Sequence, residues 1–194
     1  YHCDRLGMLV WQDMPNMEAG RNPSRAERQQ YERELGAMMD DLHNSPAIVM
    51  WVPFNEGWAQ YETERVTNWV KRRDPSRLVN NASGWTDHGV GDVHDIHAYP
   101  GPAMPTLEDD RAVVLGEFGG LGLPVEGNTW QSSDNWGYRS YETTEALRSA
   151  YADLIAPLEP LVGLGLAAAV YTQTTDVEVE VNGIRHGYGP ATVG

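Results

Sequence analysis

Two glutamates, Glu56 and Glu117, each stand directly after an apolar run with the character of a buried strand. The runs are Ile48-Val49-Met50-Trp51-Val52-Pro53-Phe54, leading into Asn55-Glu56-Gly57, and Ala112-Val113-Val114-Leu115-Gly116, leading into Glu117-Phe118-Gly119-Gly120. A carboxylate at the carboxyl end of a parallel strand points into the mouth of an α/β barrel, where such folds place their chemistry. Two carboxylates facing one another across a scissile bond are the equipment of glycoside hydrolysis. In the retaining version one attacks the anomeric carbon and the other protonates the leaving oxygen and then deprotonates water, with the carboxyl groups about 5 to 5.5 Å apart. Two negative charges at that range repel by roughly 3 kcal/mol at an effective dielectric of about 20, so such a pair keeps one proton.

The elements that must position these residues alternate along the chain. Short β-rich runs at 8–12, 48–54, 78–81, 95–98, 112–116 and 166–171 are interleaved with helical patterns, the signature of βα units and a parallel sheet. The first helix opens on a capping box, Ser24 with Glu27 three residues on, and carries Tyr31, Leu35, Met38, Met39 and Leu42 at helical spacing. The next uses Val66, Trp69 and Val70 and stops before Asp74-Pro75. A third carries Leu147, Tyr151, Leu154, Ile155 and Leu158. The Gly, Pro and Trp-rich stretch 121–139 reads as a long loop, and loops of that length usually carry function. No repeat or low-complexity tract interrupts the pattern, and residues 1–194 read as one partial barrel domain.

Composition narrows the partners. With 14 Lys plus Arg against 28 Asp plus Glu the net charge is -14, and the longest basic cluster is Lys71-Arg72-Arg73, which argues against nucleic acid and anionic membranes as partners. Cys3 is the only cysteine, so neither an intrachain disulfide nor a cysteine-rich metal site can form. No apolar stretch reaches the roughly 18 residues of a membrane span. The opening Tyr1-His2-Cys3-Asp4 has neither an initiator methionine nor a signal-peptide pattern and reads as an internal piece of a longer protein.

At this point the residues resemble a known family. Gly7-Met8-Leu9-Val10-Trp11-Gln12-Asp13, His43-Asn44-Ser45-Pro46-Ala47-Ile48-Val49-Met50-Trp51, Asn55-Glu56, Leu115-Gly116-Glu117-Phe118-Gly119-Gly120 and Tyr171-Thr172-Gln173-Thr174-Thr175-Asp176-Val177-Glu178 are similar, in order, to the catalytic barrel of glycoside hydrolase family 2. That family holds β-galactosidases, β-glucuronidases and β-mannosidases. The resemblance implies an α/β fold, an incomplete (β/α)8 TIM barrel of about six parallel strands corresponding to strands 3 to 8 of the family's barrel. The first two strands, with a basic residue near the nucleophile, are not found in this chain, and the tail from Arg185 departs from the family's final barrel helix. Upstream β-sandwich domains are implied for the full-length protein. Compartment stays open between periplasmic, secreted and cytoplasmic.

By the resemblance Glu56 is the acid/base and Glu117 the nucleophile. Asn55 resembles the asparagine that hydrogen-bonds the sugar 2-hydroxyl, against a plain turn role. Tyr99 resembles the tyrosine that donates to the nucleophile and holds it ionised, against simple packing in a barrel mouth. Two readings each stay open for His97, a sugar ligand or an inward histidine satisfied by neighbours, and for Asp13, a ligand to sugar hydroxyls or a loop cap. Trp58, Trp85, Trp130, Trp136 and Tyr171 fall on the loop side of strands, where aromatic faces either stack on a pyranose or pack. Tyr171 stands where many members have tryptophan, a smaller platform. Trp11, Trp51 and Trp69 read as core.

No cofactor is implied. His88, His94 and His97 cluster with Asp87, Asp92 and Asp95, but their spacing matches no metal-ligand pattern, and a polar loop explains them better. Some β-galactosidases of the family use a metal, yet the histidine that follows their nucleophile is replaced here by Gly119-Gly120. The expected function is a retaining β-glycosidase acting on a neutral β-glycoside through a covalent glycosyl-enzyme. A glucuronide is disfavoured because the Asn-x-Lys motif is missing and Lys71 is the only lysine. Trp11-Gln12-Asp13-Met14 resembles the mannosidase-like members and Phe54-Asn55-Glu56-Gly57 does not, so β-galactoside is placed first with β-mannoside beside it. The alternative is a non-catalytic carbohydrate-binding or inactive barrel fragment, since barrels host many functions.

Overall fold

The computed structural model describes residues 1–17 and 22–185, so the expectation for the tail at 186–190 lies outside the described residues. The chain divides into two compact units. One comprises Tyr1–Asp95 and Leu107–Val113, the other Ile96–Thr106 and the chain from Val114 onward.

The first unit runs α1 (His2–Leu6), β1 (Val10–Asp13), α2 (Arg25–Asp41), β2 (Ile48–Val52), α3 (Thr63–Arg73) and β3 (Leu78–Val79). Strands β1, β2 and β3 form one parallel sheet in that order. The short α1 is an element the sequence pattern did not reveal; Asp4 Oδ1 accepts the Ala47 N–H at 2.8 Å and ties it to the entry of β2. Helix α2 begins on the expected capping box, with the Ser24 N–H donating to Glu27 Oε2 at 2.7 Å and the Glu27 N–H to Ser24 Oγ at 3.4 Å. It buries Tyr31, Leu35 and Met39, α3 buries Val66 and Val70, and both stripes meet Trp51 and Phe54 in one apolar core. Near the end of β2 the core is pinned by Asp74. Its Oδ2 accepts from Trp51 Nε1 at 2.9 Å and from Arg77 Nη1 at 2.6 Å. Of the three tryptophans expected in the core, Trp51 is fully buried, Trp69 packs against it half-buried, and Trp11 is half-buried on β1.

β2 and β3 are shorter than expected, for definable reasons. Ladder pairing in β2 ends at Val52 because Pro53 has no N–H to donate. β3 ends at Val79 because Asp92 takes over both of that residue's backbone groups: Oδ2 accepts the Val79 N–H at 2.7 Å and the Asp92 N–H donates to the Val79 carbonyl at 2.8 Å. The Asn80 side chain then donates to Asp95 Oδ2 at 2.7 Å. A buried side-chain network therefore stands where a continuous sheet would have had backbone ladder.

Strands β4 (Val93–Ala98) and β5 (Ala112–Gly119) contribute residues to both units. The second unit continues with β6 (Leu121–Gly122), β7 (Arg139–Ser140), α4 (Thr144–Ile155), α5 (Leu158–Leu164) and β8 (Ala168–Thr172). β4, β5 and β8 make a sheet in that order, with β5 and β8 parallel. Its core gathers Leu115, Phe118, Leu121, Leu154 and Leu166. A strand stands on each of the six expected runs, β1 to β3 in one three-stranded sheet and β4, β5 and β8 in another, with a separate β6–β7 ladder beside them in the pairing. Two expectations are corrected. The stretch 121–139 is not wholly a loop, because Leu121 pairs with Arg139 and Gly122 with Ser140. The third helix is two helices, α4 ending before Pro157, which lacks a donor and excludes the carbonyl four residues back, so that Leu158 opens α5 instead of closing α4. No helix among the described residues is long and apolar enough to cross a membrane.

Candidate active site

In the first unit Glu56 sits four residues beyond β2 on a turn built from unusual backbone. Its φ is 52°, in the left-handed region that a residue with a β-carbon rarely adopts, and Gly57 follows at 79°. Such conformations persist only where the surroundings over-determine them. Here they do. The Glu56 N–H donates to the Ser83 carbonyl at 2.7 Å and the Ser83 N–H to the Phe54 carbonyl at 2.9 Å, a parallel bridge that extends the β2–β3 pairing past its break. The Phe54 ring forms a triangle with Tyr31, stacked at 5.7 Å, and Tyr61, edge-on at 5.5 Å, while the Tyr31 hydroxyl donates to the Pro53 carbonyl. A β-carbon on Gly57 would meet Thr86 Oγ1 at 2.6 Å, so the turns at 55–57 and 83–86 touch where only glycine fits. Beneath them Asp95 Oδ2 accepts from Asn80 Nδ2 and Ser83 Oγ, each at 2.7 Å, all three residues buried.

Asn55, Glu56 and Trp58 share this turn, and Trp85 stands on the neighbouring one, 62% exposed against 39% for Trp58. Asn55 Oδ1 is buried with no hydrogen-bond partner among the described residues. Asp13 is exposed at the end of β1, in register with Val52. Burial, and after it the charge of Asp13, pushes the Tyr31 phenol well above its ordinary value, so the two groups sense one another.

In the second unit Glu117 is inside β5 rather than after it. From Leu115 to Phe118 the strand advances three residues while β8 advances only from Ala169 to Tyr171, which makes Gly116-Glu117 a β-bulge. A bulge re-aims a side chain against the pleat, and the Glu117 carboxylate is met by side-chain donors. The Tyr99 hydroxyl donates to Glu117 Oε2, the Thr172 Oγ1 lies 3.0 Å from the same hydroxyl, and His97 Nδ1 lies 3.5 Å from Oε2. Burial, and then the bond to Glu117, push the Tyr99 phenol far above its ordinary value, so it is a proton donor at every working pH. β4 alternates buried and half-buried residues, which turns Val93, Asp95 and His97 to one side, and the His97 side chain has no solvent exposure.

The loop aromatics divide. Tyr171 packs edge-on against Phe118 at 5.6 Å and Tyr151 at 5.3 Å, whereas Trp130 and Trp136 are 60% and 45% exposed. The sequence reading missed Tyr138 and Thr172. Tyr138 stacks flat on Tyr99 with ring centroids 3.7 Å apart and planes 3° from parallel. The available signal was Gly119-Gly120: a β-carbon there would meet the Tyr171 ring at 2.5 Å and the Tyr138 ring at 2.4 Å, so the glycine pair makes room for two aromatic rings.

The histidines and aspartates that lie close together in sequence have individual partners. In the first unit Asp92 pairs with Lys71 at 2.7 Å and Asp95 with Asn80 and Ser83, while the His88 N–H donates to Asn81 Oδ1 at 3.2 Å. Donor atoms of Asp87, His94 and Glu108 lie within 4.8 Å of one another, but the Arg111 guanidinium bridges the two carboxylates, to Asp87 at 2.7 Å and to Glu108 at 2.6 Å. A cation would have to displace it. Burial opposes ionisation of Asp87, yet hydrogen bonds from Arg111 and Asn81 outweigh it and hold the carboxyl at about 2.

Parallel strand pairing in each unit, in a chain of alternating strands and helices, defines an α/β fold. The chain belongs to the glycosyl hydrolases of family 2: the model of that family's TIM barrel domain matches residues 2–110. It is similar to β-mannosidase B of Thermothelomyces thermophilus, 27% identical over 159 residues that cover 63% of this chain and 18% of that protein. It is also similar to a β-galactosidase of Psychromonas ingrahamii, 32% identical over 98 residues, 47% of this chain and 9% of that protein. The chain thus spans less than a fifth of the length of these curated relatives. In fold it is similar to the crystal structure of an FMN-binding β-glucuronidase from Facaelibacterium prausnitzii L2-6, with a TM-score of 0.65 at 16% identity over 96% of this chain and 32% of that one.

Proposed function

We propose that the chain is catalytic machinery of a retaining β-glycosidase for neutral β-glycosides, with Glu117 as nucleophile and Glu56 as acid/base. The observation that carries this reading is the Glu117 carboxylate, re-aimed by a β-bulge and met by the hydroxyl of a tyrosine that stays protonated. A nucleophilic carboxylate must be ionised and held in one rotamer; a half-buried phenol donor supplies both. Attack on the anomeric carbon forms the ester and expels the aglycone, which takes its proton from Glu56. Water then gives a proton back to Glu56 and cleaves the ester, with net retention. The buried, unpartnered Asn55 Oδ1 is an acceptor that a sugar hydroxyl would satisfy, and the exposed Trp58 and Trp85 offer flat apolar faces to a pyranose or its aglycone.

The β-mannosidase and β-galactosidase relatives support a neutral glycone, mannoside or galactoside, with galactoside first on the Phe54-Asn55-Glu56-Gly57 context. The test is to treat the full-length protein with 2-deoxy-2-fluoro β-galactosyl and β-mannosyl fluorides and to sequence the labelled peptide, while following product stereochemistry by NMR. Label on Glu117 with a β-configured first product is expected; an α-configured first product would overturn retention, and no hydrolysis of either aryl glycoside would favour a non-catalytic binding module.

A further inference from the structure

The Tyr99 oxygen lies on the axis about which its ring turns, so ring rotation cannot move it away from Glu117; only a swing of the whole side chain at χ1 can. A swing of about 10° displaces that oxygen by about 1 Å, and misplacements of this size cost on the order of 10²-fold in rate. The hydrogen bonds to Glu117 and Thr172 hold the tip of the side chain. The ring itself is held by Tyr138, whose plane lies 3° from parallel at a centroid distance of 3.7 Å.

Aromatic rings left to themselves prefer offset or edge-to-face contact, so this overlap is imposed from outside the pair. The second unit's backbone imposes it. Tyr138 directly precedes β7, where the Arg139 N–H donates to the Gly120 carbonyl at 3.2 Å and Arg139 pairs with Leu121. Gly120, at φ 67°, lets the Tyr138 ring lie where a β-carbon would sit 2.4 Å from it. Trp136 closes the other side edge-on at 5.5 Å, its own backbone tied to Val179 and Val181 at 2.9 and 2.8 Å.

We propose that Tyr138 is a positioning residue for the glycosidase reaction: carried by the β6–β7 ladder and seated on Gly120, it fixes the Tyr99 ring and so aims the Tyr99 hydroxyl at Glu117. This rests on the reading of Glu117 as nucleophile. Tyr138 acts through Tyr99, so its effect exists only while the Tyr99 hydroxyl is there to be aimed.

The experiment uses the full-length protein with aryl β-galactoside and β-mannoside, comparing Y138A, Y138F, G120A, Y99F and Y99F/Y138A, together with crystal structures of the wild type and Y138A. Y138A is expected to lower kcat by about 10- to 100-fold with KM within about threefold, the signature of an interaction used in the transition state. Y138F should recover most of that loss because the ring remains, and G120A should reproduce it by evicting the ring. In the Y99F background Y138A should cost no more than about twofold, as coupled residues do. The Y138A crystal structure should show the Tyr99 hydroxyl withdrawn from Glu117. Equal losses in both backgrounds, a rise confined to KM, or a Tyr99 that stays in place in Y138A would each overturn the proposal. Absence of turnover in the wild type would instead sink the catalytic reading, and the two crystal structures would still decide whether Tyr138 sets Tyr99.

Discussion

In the first unit Glu56 is set by main chain, and in the second Glu117 is set by side chains. Glu56 owes its place to a left-handed φ, a backbone bridge to Ser83 and a glycine that lets two turns touch, all resting on the buried Asn80, Ser83 and Asp95 network. Glu117 sits in a bulge with the Tyr99 hydroxyl on its Oε2, and the Tyr99 ring is stacked on Tyr138, which lies against Gly120. The difference matches the proposed roles. A group that gives up and regains a proton in each cycle needs a backbone fixed firmly enough to return its carboxyl to the same place each time. A nucleophile that must stay ionised gains from a donor on its own oxygen.

The largest effect should come from breaking the two carboxylates in turn. Glu117→Gln in the full-length protein is expected to reduce turnover of every β-glycoside on the order of 10⁵-fold, because the amide cannot form the glycosyl ester. Glu56→Ala should cost about 10²- to 10⁴-fold on poor leaving groups and much less on activated aryl glycosides, with azide rescuing it to a β-glycosyl azide. Product analysis of both variants with azide checks this, and β-configured azide from Glu117→Ala would reverse the assignment of roles.

Gly57→Ala tests the main-chain side. With a positive φ and Thr86 Oγ1 2.6 Å from the new β-carbon, the turn must deform. A loss of about 1–3 kcal/mol in urea unfolding is expected, together with a fall in kcat larger than that of a distant variant of equal stability. An unchanged kcat would show that Glu56 does not depend on the turn.

Acid should expose the first unit through Asp87. Its folded pKa of about 2 lies below the ordinary 3.8, so the stability it contributes is complete above 3.8 and disappears as pH falls through about 2. The contribution is about 2 kcal/mol, and Asp87→Asn should flatten the pH dependence of unfolding in that window while lowering stability at neutral pH. Denaturant titrations of both proteins at pH 2 to 7 would read it, and parallel curves would contradict it. The smallest expected change is Ser24→Ala, a loss of about 1 kcal/mol from the α2 capping box with no effect on turnover.

Much of this was legible in order along the chain. The capping box at Ser24, the apolar stripes of α2 and α3, the runs that became β2 and β5, and both glutamates follow from residue type and spacing, because caps, amphipathic faces and strand ends are set by near neighbours. The pairing of Tyr99 with Glu117 could be expected only through resemblance, since nothing local to residues 95–99 says which carboxylate its hydroxyl meets.

What the sequence by itself determined, then, was a βα chain with one glutamate just beyond β2 and another on the run that became β5. The tertiary structure decided how each is held. It ended β3 early, because Asp92, 13 residues beyond Val79, supplies the donor and acceptor that a neighbouring strand would have supplied. It put Glu117 within a bulge, a property of the β5–β8 register that neither strand contains alone. It also laid Tyr138 on Tyr99 across the space opened by Gly120, a contact between residues 39 positions apart, for which loop closure and steric fit matter and local propensity does not.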